Sequence, residues 1–106
     1  MPITVTQENI ESEVFKSVVP VVIDVYAVWC GPCQFMTPIV EELEKELAPA
    51  YKFATINVDE SRELSIKFGV TSVPTFIFIK NGQVQGKTTG QMSKEELHEA
   101  IIELLG

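Results

Sequence analysis

Residues 21–28 read Val-Val-Ile-Asp-Val-Tyr-Ala-Val, a nearly continuous apolar run rich in β-branched side chains, and from Pro32 the hydrophobic period changes to that of a helix. A run with no polar face is the signature of a central strand covered on both sides, so the chain must build a sheet with helices packed on it. After the switch, Phe35, Met36, Ile39, Val40, Leu43 and Leu47 fall along one side of the helix, and Glu41, Glu42, Glu44 and Lys45 along the other. Pro38 lies inside that helix and predicts a kink.

The flanking segments complete an α/β pattern. Ile3 to Val5 is a short strand, and Thr6 can cap a helix whose apolar positions Ile10, Val14 and Val18 share a face. Phe53 to Val58 is a strand, followed by a short helix from Ser61 to Phe68 that ends at Gly69. Thr75 to Lys80 and Gln83 to Thr89 flank Asn81-Gly82, which supplies the two positive φ angles of a type I′ turn and makes the pair an antiparallel hairpin. Ser93 with Glu96 forms a capping box for a last helix, along which Leu97, Ala100, Ile101, Leu104 and Leu105 repeat on one face and cover the sheet. No repeat, linker or low-complexity tract interrupts residues 1–106, which read as a single domain.

Both cysteines lie in Trp29-Cys30-Gly31-Pro32-Cys33, where the strand hands over to the helix. A disulfide closing so small a ring would stabilise the fold by only about 2 kcal/mol, so the pair is better suited to being made and broken than to stapling. Two thiols held within bonding distance let one attack a foreign disulfide and the other resolve the mixed disulfide. A zinc site needs four ligands, and the chain offers no third cysteine and only His98, far away in the last helix; no metal or other cofactor is expected. Position assigns the roles. Cys30 meets the unsatisfied N–H groups and positive potential of the helix N-terminus, which favour its thiolate and make it the nucleophile. Cys33 sits one turn on, facing the interior, where desolvation keeps it protonated until it resolves the mixed disulfide.

Asp24 is the one acid in the apolar run. Buried there, its carboxyl should ionise late and could accept the proton of Cys33, directly or through water; at a strand edge it would instead be an exposed, hydrogen-bonded carboxylate. The net charge of −7 argues against nucleic acid as partner, because no basic stripe exists to displace counterions. The N-terminus has no cationic stretch followed by an apolar one and no run reaches membrane length, so a cytoplasmic, monomeric protein with protein or small-disulfide partners is expected.

Along its whole length the chain resembles the thioredoxin family. The resemblance rests on Trp29-Cys30-Gly31-Pro32-Cys33, on Asp24 six residues before Cys30, on Pro38, on Val73-Pro74-Thr75 before the hairpin, on Asn81-Gly82 and on Gly90. It implies a mixed five-stranded sheet of order 1-3-2-4-5 flanked by four helices, with the dithiol at the end of a central strand. It further implies a general cytosolic electron donor that reduces protein disulfides and is itself recharged by an NADPH-dependent flavoenzyme, thioredoxin reductase. Related oxidants and isomerases carry His where this chain has Pro32, which resembles the reductants. A disulfide oxidant or isomerase, and a non-catalytic binding module on the same fold, are the alternatives.

The same resemblance implies that the Val73–Pro74 bond is cis and lies beside the dithiol, leaving the Val73 backbone to pair with a substrate segment; on its own, a proline there is strand punctuation. Trp29, Gly31, Pro32, Val58, Val73, Pro74 and Gly90 would then form the substrate surface around Cys30, although Trp29 could equally be a core aromatic. Two positions depart from the family pattern. Gln34 stands where a lysine often follows the second cysteine, and Thr55 replaces a lysine common near the buried acid, so fewer cations surround the site.

Overall fold

A computed structural model describes residues 2–106. It contains strands β1 (Ile3–Thr4), β2 (Val21–Tyr26), β3 (Lys52–Asn57), β4 (Thr75–Lys80) and β5 (Gln83–Thr89), arranged in one sheet in the order β1-β3-β2-β4-β5. The first three strands in that order run parallel; β4 is antiparallel to β2, and β5 to β4. Helices α1 (Gly31–Leu47), α2 (Arg62–Lys67) and α3 (Lys94–Leu105) and a π-helical turn at Glu11–Phe15 cover the two faces. This is the fold that the family resemblance implies, with the π-helical turn standing as the first of its four helices.

β2 is the centre of the molecule. Its backbone is paired on both edges, with Asp24 opposite Thr55 on β3 and Phe76 on β4. Its side chains alternate between two cores, as the two-residue strand period requires. Val21, Ile23 and Val25 pack with Ile10 and Val14 of the first helical segment, Ile56 of β3 and Leu64 of α2. Val22 packs on the opposite face with Met36, Val40 and Leu43 of α1 and Leu97, Ile101 and Leu105 of α3. Asp24 shares that second face, under α1.

Three apolar residues are more exposed than their period suggests. The π-helical turn closes with Lys16 N–H donating to Glu11 O at 2.9 Å, five residues back, and the helix stops there. Val18 therefore lies beyond it, 96% exposed, and only Ile10 and Val14 form the buried face. On α1 the buried seam is Cys33, Met36, Val40 and Leu43. Phe35, one residue off that seam and so about 100° round the helix, is 50% exposed. β2 ends at Tyr26, and Val28 belongs to the turn that follows.

The local signals at the C-terminal half are all present. Ser93 Oγ accepts Glu96 N–H at 3.1 Å while the Glu96 carboxylate accepts Ser93 N–H at 2.9 Å, the reciprocal pair of a capping box. Asn81 and Gly82 have φ of 53° and 76°, as a type I′ turn requires. Gly82 has a second duty: a Cβ built there would lie 2.9 Å from the backbone oxygen of Phe15. The turn thus packs directly against the end of the first helical segment. Gly82→Ala should cost more than the roughly 1 kcal/mol ordinarily lost in forcing alanine into a left-handed conformation, about 2 kcal/mol in all, because a backbone atom cannot step aside. A urea melt checks this, and a midpoint unchanged from the native chain would contradict the contact.

Candidate active site

The dithiol stands at the junction of β2 and α1. After β2 the chain turns, Cys30 N–H donating to Ala27 O at 3.2 Å, and Cys30 takes the extended conformation of a helix N-cap with φ −92° and ψ 113°. Helix-capping oxygen is absent at this position; sulfur replaces it. Cys30 Sγ accepts the Cys33 N–H at 3.1 Å, so one of the orphan donors of α1 points at the sulfur. Pro32 sits in the first turn, where its missing N–H removes no helical bond. Cys30 and Cys33 form a disulfide across a Cα–Cα distance of 5.2 Å. Both are largely covered, Cys30 at 6% exposure and Cys33 deeper at 2%, and they pack with Ala27 against Tyr26, Val58 and Val73.

Across from the disulfide, Val73 O lies 3.8 Å from Cys30 Sγ. The Val73–Pro74 bond is cis, as the family resemblance implies, and Pro74 O accepts the Gly90 N–H at 2.9 Å, which draws the loop before α3 to the same spot. Gly90 has φ +91°, and a Cβ there would meet nothing within 4 Å. Trp29 is not a core residue: it is 70% exposed, and its indole Nε1–H donates to Asp59 Oδ2 at 2.9 Å. Gly31 and Pro32 are exposed beside it.

Trp29, Val58 and Val73 line a cleft of about 340 Å³ together with residues the sequence did not single out, Asp59, Arg62, Ser65, Ile66, Val70, Thr71 and Ser72. Asp59 comes from the turn between β3 and α2, and the others from α2 and the segment joining it to β4. Their only sequence signal is a short helix followed by a polar loop before a proline, which names no surface. Gln34, where a lysine is more usual, donates from Nε2 to Val28 O at 3.0 Å and braces the turn before Cys30.

Asp24 is 5% exposed, and its Oδ1 has no hydrogen-bond partner among the described residues. The edge-strand alternative is therefore excluded. The carboxyl borders a hollow of about 210 Å³ shared with Pro2, Tyr26, Thr37, Val40, Glu41 and Thr55. Burial raises its pKa from an ordinary 3.8 to about 7, because a charge in that setting loses its hydration. Thr55, the residue facing Asp24 across the β2–β3 ladder, contributes no charge.

A sequence model of the family described as Thioredoxin matches residues 1–103. The chain belongs to the thioredoxin family. Thioredoxin of Rickettsia bellii is 41% identical over 101 residues, covering 95% of this chain and 96% of that protein. Thioredoxin of Haemophilus influenzae is 39% identical over 93 residues, 88% of this chain and 87% of the relative, and that of Pseudomonas aeruginosa 34% over 95 residues, 90% and 88%. With the Cys30–Cys33 pair at the helix junction, this thioredoxin-family chain is a thiol-disulfide oxidoreductase that reduces protein disulfides. The oxidant and binding-module alternatives are not favoured.

The buried acid carries a measurable consequence for the stability of the chain. The folded chain holds the Asp24 proton up to about pH 7, whereas the unfolded chain releases it near 3.8. The stability drawn from that difference is full below the unfolded value and is lost as pH rises through the folded one; three units amount to about 4 kcal/mol. Asp24→Asn has no proton to lose. Its urea midpoint should therefore exceed that of the native protein above pH 7, and the two should converge towards pH 4. A variant less stable than native at pH 8 would mean that the carboxylate is compensated in the fold.

Proposed function

We propose that Cys30 is the nucleophile and Cys33 the resolving thiol, and the observation that carries this is the N–H of Cys33 aimed at Cys30 Sγ from the start of α1. In the reduced protein that donor and the helix terminus favour negative charge on the Cys30 sulfur. The thiolate attacks one sulfur of a client disulfide, forming a Cys30–client disulfide and releasing the other client sulfur as a thiolate that takes a proton from water. Cys33 then loses its proton and attacks Cys30 Sγ. The Cys30–Cys33 disulfide forms, the mixed disulfide breaks, and the second client sulfur leaves. Two electrons have passed from the dithiol to the client.

Asp24 is the proton acceptor for Cys33 in this reading. It is the buried carboxyl beneath α1, and near neutral pH it lies close to half-ionised, where a group can take up and give back a proton. The client segment lies over Cys30 against Trp29, Gly31, Pro32, Val58, Val73, Pro74 and Gly90, and its backbone pairs with that of Val73. Electrons return from thioredoxin reductase, the NADPH-dependent flavoenzyme, and disulfide-containing proteins consume them. The chain acts as a single domain and a monomer in the cytoplasm. Among the described residues no helix is long and apolar enough to cross a membrane.

The division of labour is directly testable. Cys30→Ser should abolish disulfide reduction, whereas Cys33→Ser should attack and then stall as a mixed disulfide with its client. Mass spectrometry of each variant after exposure to a disulfide-bonded client reads the outcome. A client adduct that accumulates on Cys30→Ser and not on Cys33→Ser would reverse the two roles.

A further inference from the structure

Among the described residues, the cleft beside the dithiol is lined by one cation. Arg62, the chain's single arginine among eight basic residues, lines it at the α2 side, and no lysine does. The exposed side chain lines both this cleft and a neighbouring hollow bordered by Gln7, Glu8, Glu60 and Glu63. Among the described residues the ion pairs are Lys52 with Glu13 and Lys94 with Glu42 and Glu46, so Arg62 has no carboxylate partner. Asp59, the acid of the cleft, already accepts the Trp29 indole N–H through Oδ2. Ile66, 62% exposed, and Trp29 provide apolar walls on either side.

A guanidinium left unpaired in a chain of net charge −7 is placed to select for charge. The rest of the protein repels acidic segments at long range, and Arg62 offers a planar fork of donors that matches a carboxylate at the one surface where a client must approach. We propose that Arg62 is a specificity-determining residue that takes a carboxylate of the client segment, so that this protein prefers disulfides with a glutamate or aspartate close in sequence to the attacked cysteine. The assignment rests on the reading of this cleft as the client surface. It concerns which clients are reduced, and leaves the sulfur chemistry as described.

The test uses short disulfide-linked peptides that differ only in carrying glutamate, glutamine or lysine at each position flanking the cysteine in turn. Pre-reduced protein is mixed with each peptide, and the second-order rate constant of a single turnover is measured by separating the products. At one position or more the glutamate peptide should react about fivefold faster than its glutamine counterpart at low ionic strength, a preference that high salt erodes. The ratio should fall to about one in Arg62→Gln, and in Arg62→Glu the lysine peptide should become the faster at that position. A native ratio near one at every position, or a preference that survives in Arg62→Gln, overturns the assignment while leaving the cleft as the client surface. A native protein that reduces none of the peptides overturns the assignment together with the reading on which it rests.

Discussion

A strand buried on both faces ends where a helix begins, and the sulfur of Cys30 is the acceptor at that junction. Everything reactive about the molecule depends on this handover. β2 is paired on both edges and packed on both faces, and the short turn after it carries Cys30 to the start of α1. α1 starts there with unsatisfied N–H groups, and its Cys33 N–H finds Cys30 Sγ in place of the usual capping oxygen. One hydrogen bond therefore belongs both to the helix cap and to the sulfur proposed as the nucleophile. Stability and reactivity cannot be separated at this point.

Asp24 shows the reverse relation, a group that costs stability and is kept within the central strand. A valine there would extend the Val22 core under α1 without a desolvated carboxyl. Instead the acid sits in a small hollow, opposite a threonine and with one oxygen unpartnered among the described residues. Burial raises its pKa, which makes its ionisation respond to how tightly α1 lies over the strand. Glu41, on the rim of the same hollow, adds a second carboxylate and no compensation.

How much of this was legible in the sequence follows from the range of the physics involved. The start of β2, the Asn81-Gly82 hairpin and the Ser93–Glu96 capping box are written in neighbouring residues, whereas the strand ends at Tyr26, two residues before the apolar run does. The dithiol was legible because its chemistry needs two cysteines at one spacing, and Asp24 because a lone acid contrasts with an apolar run. The strand order and the cis bond at Val73–Pro74 came from the family resemblance, since neither is a local property. Val18 and Phe35 were placed too far inside, because periodicity says which residues share a face but not where a helix stops or how wide its buried stripe is. The Trp29–Asp59 hydrogen bond spans 30 positions, and the α2 wall of the cleft with Arg62 takes shape only once the sheet is assembled.

The central claim, that the α1 terminus makes Cys30 the charged and reactive sulfur, is tested most directly by alkylating the reduced protein with iodoacetamide across pH and locating the label by mass spectrometry. The label should fall on Cys30 well before Cys33, and the Cys30 rate should already have levelled off below about pH 8.5, where an ordinary thiol is only half ionised. A Cys30 rate that climbs through pH 8.5 as a free cysteine's does, or equal labelling of both sulfurs, would contradict it.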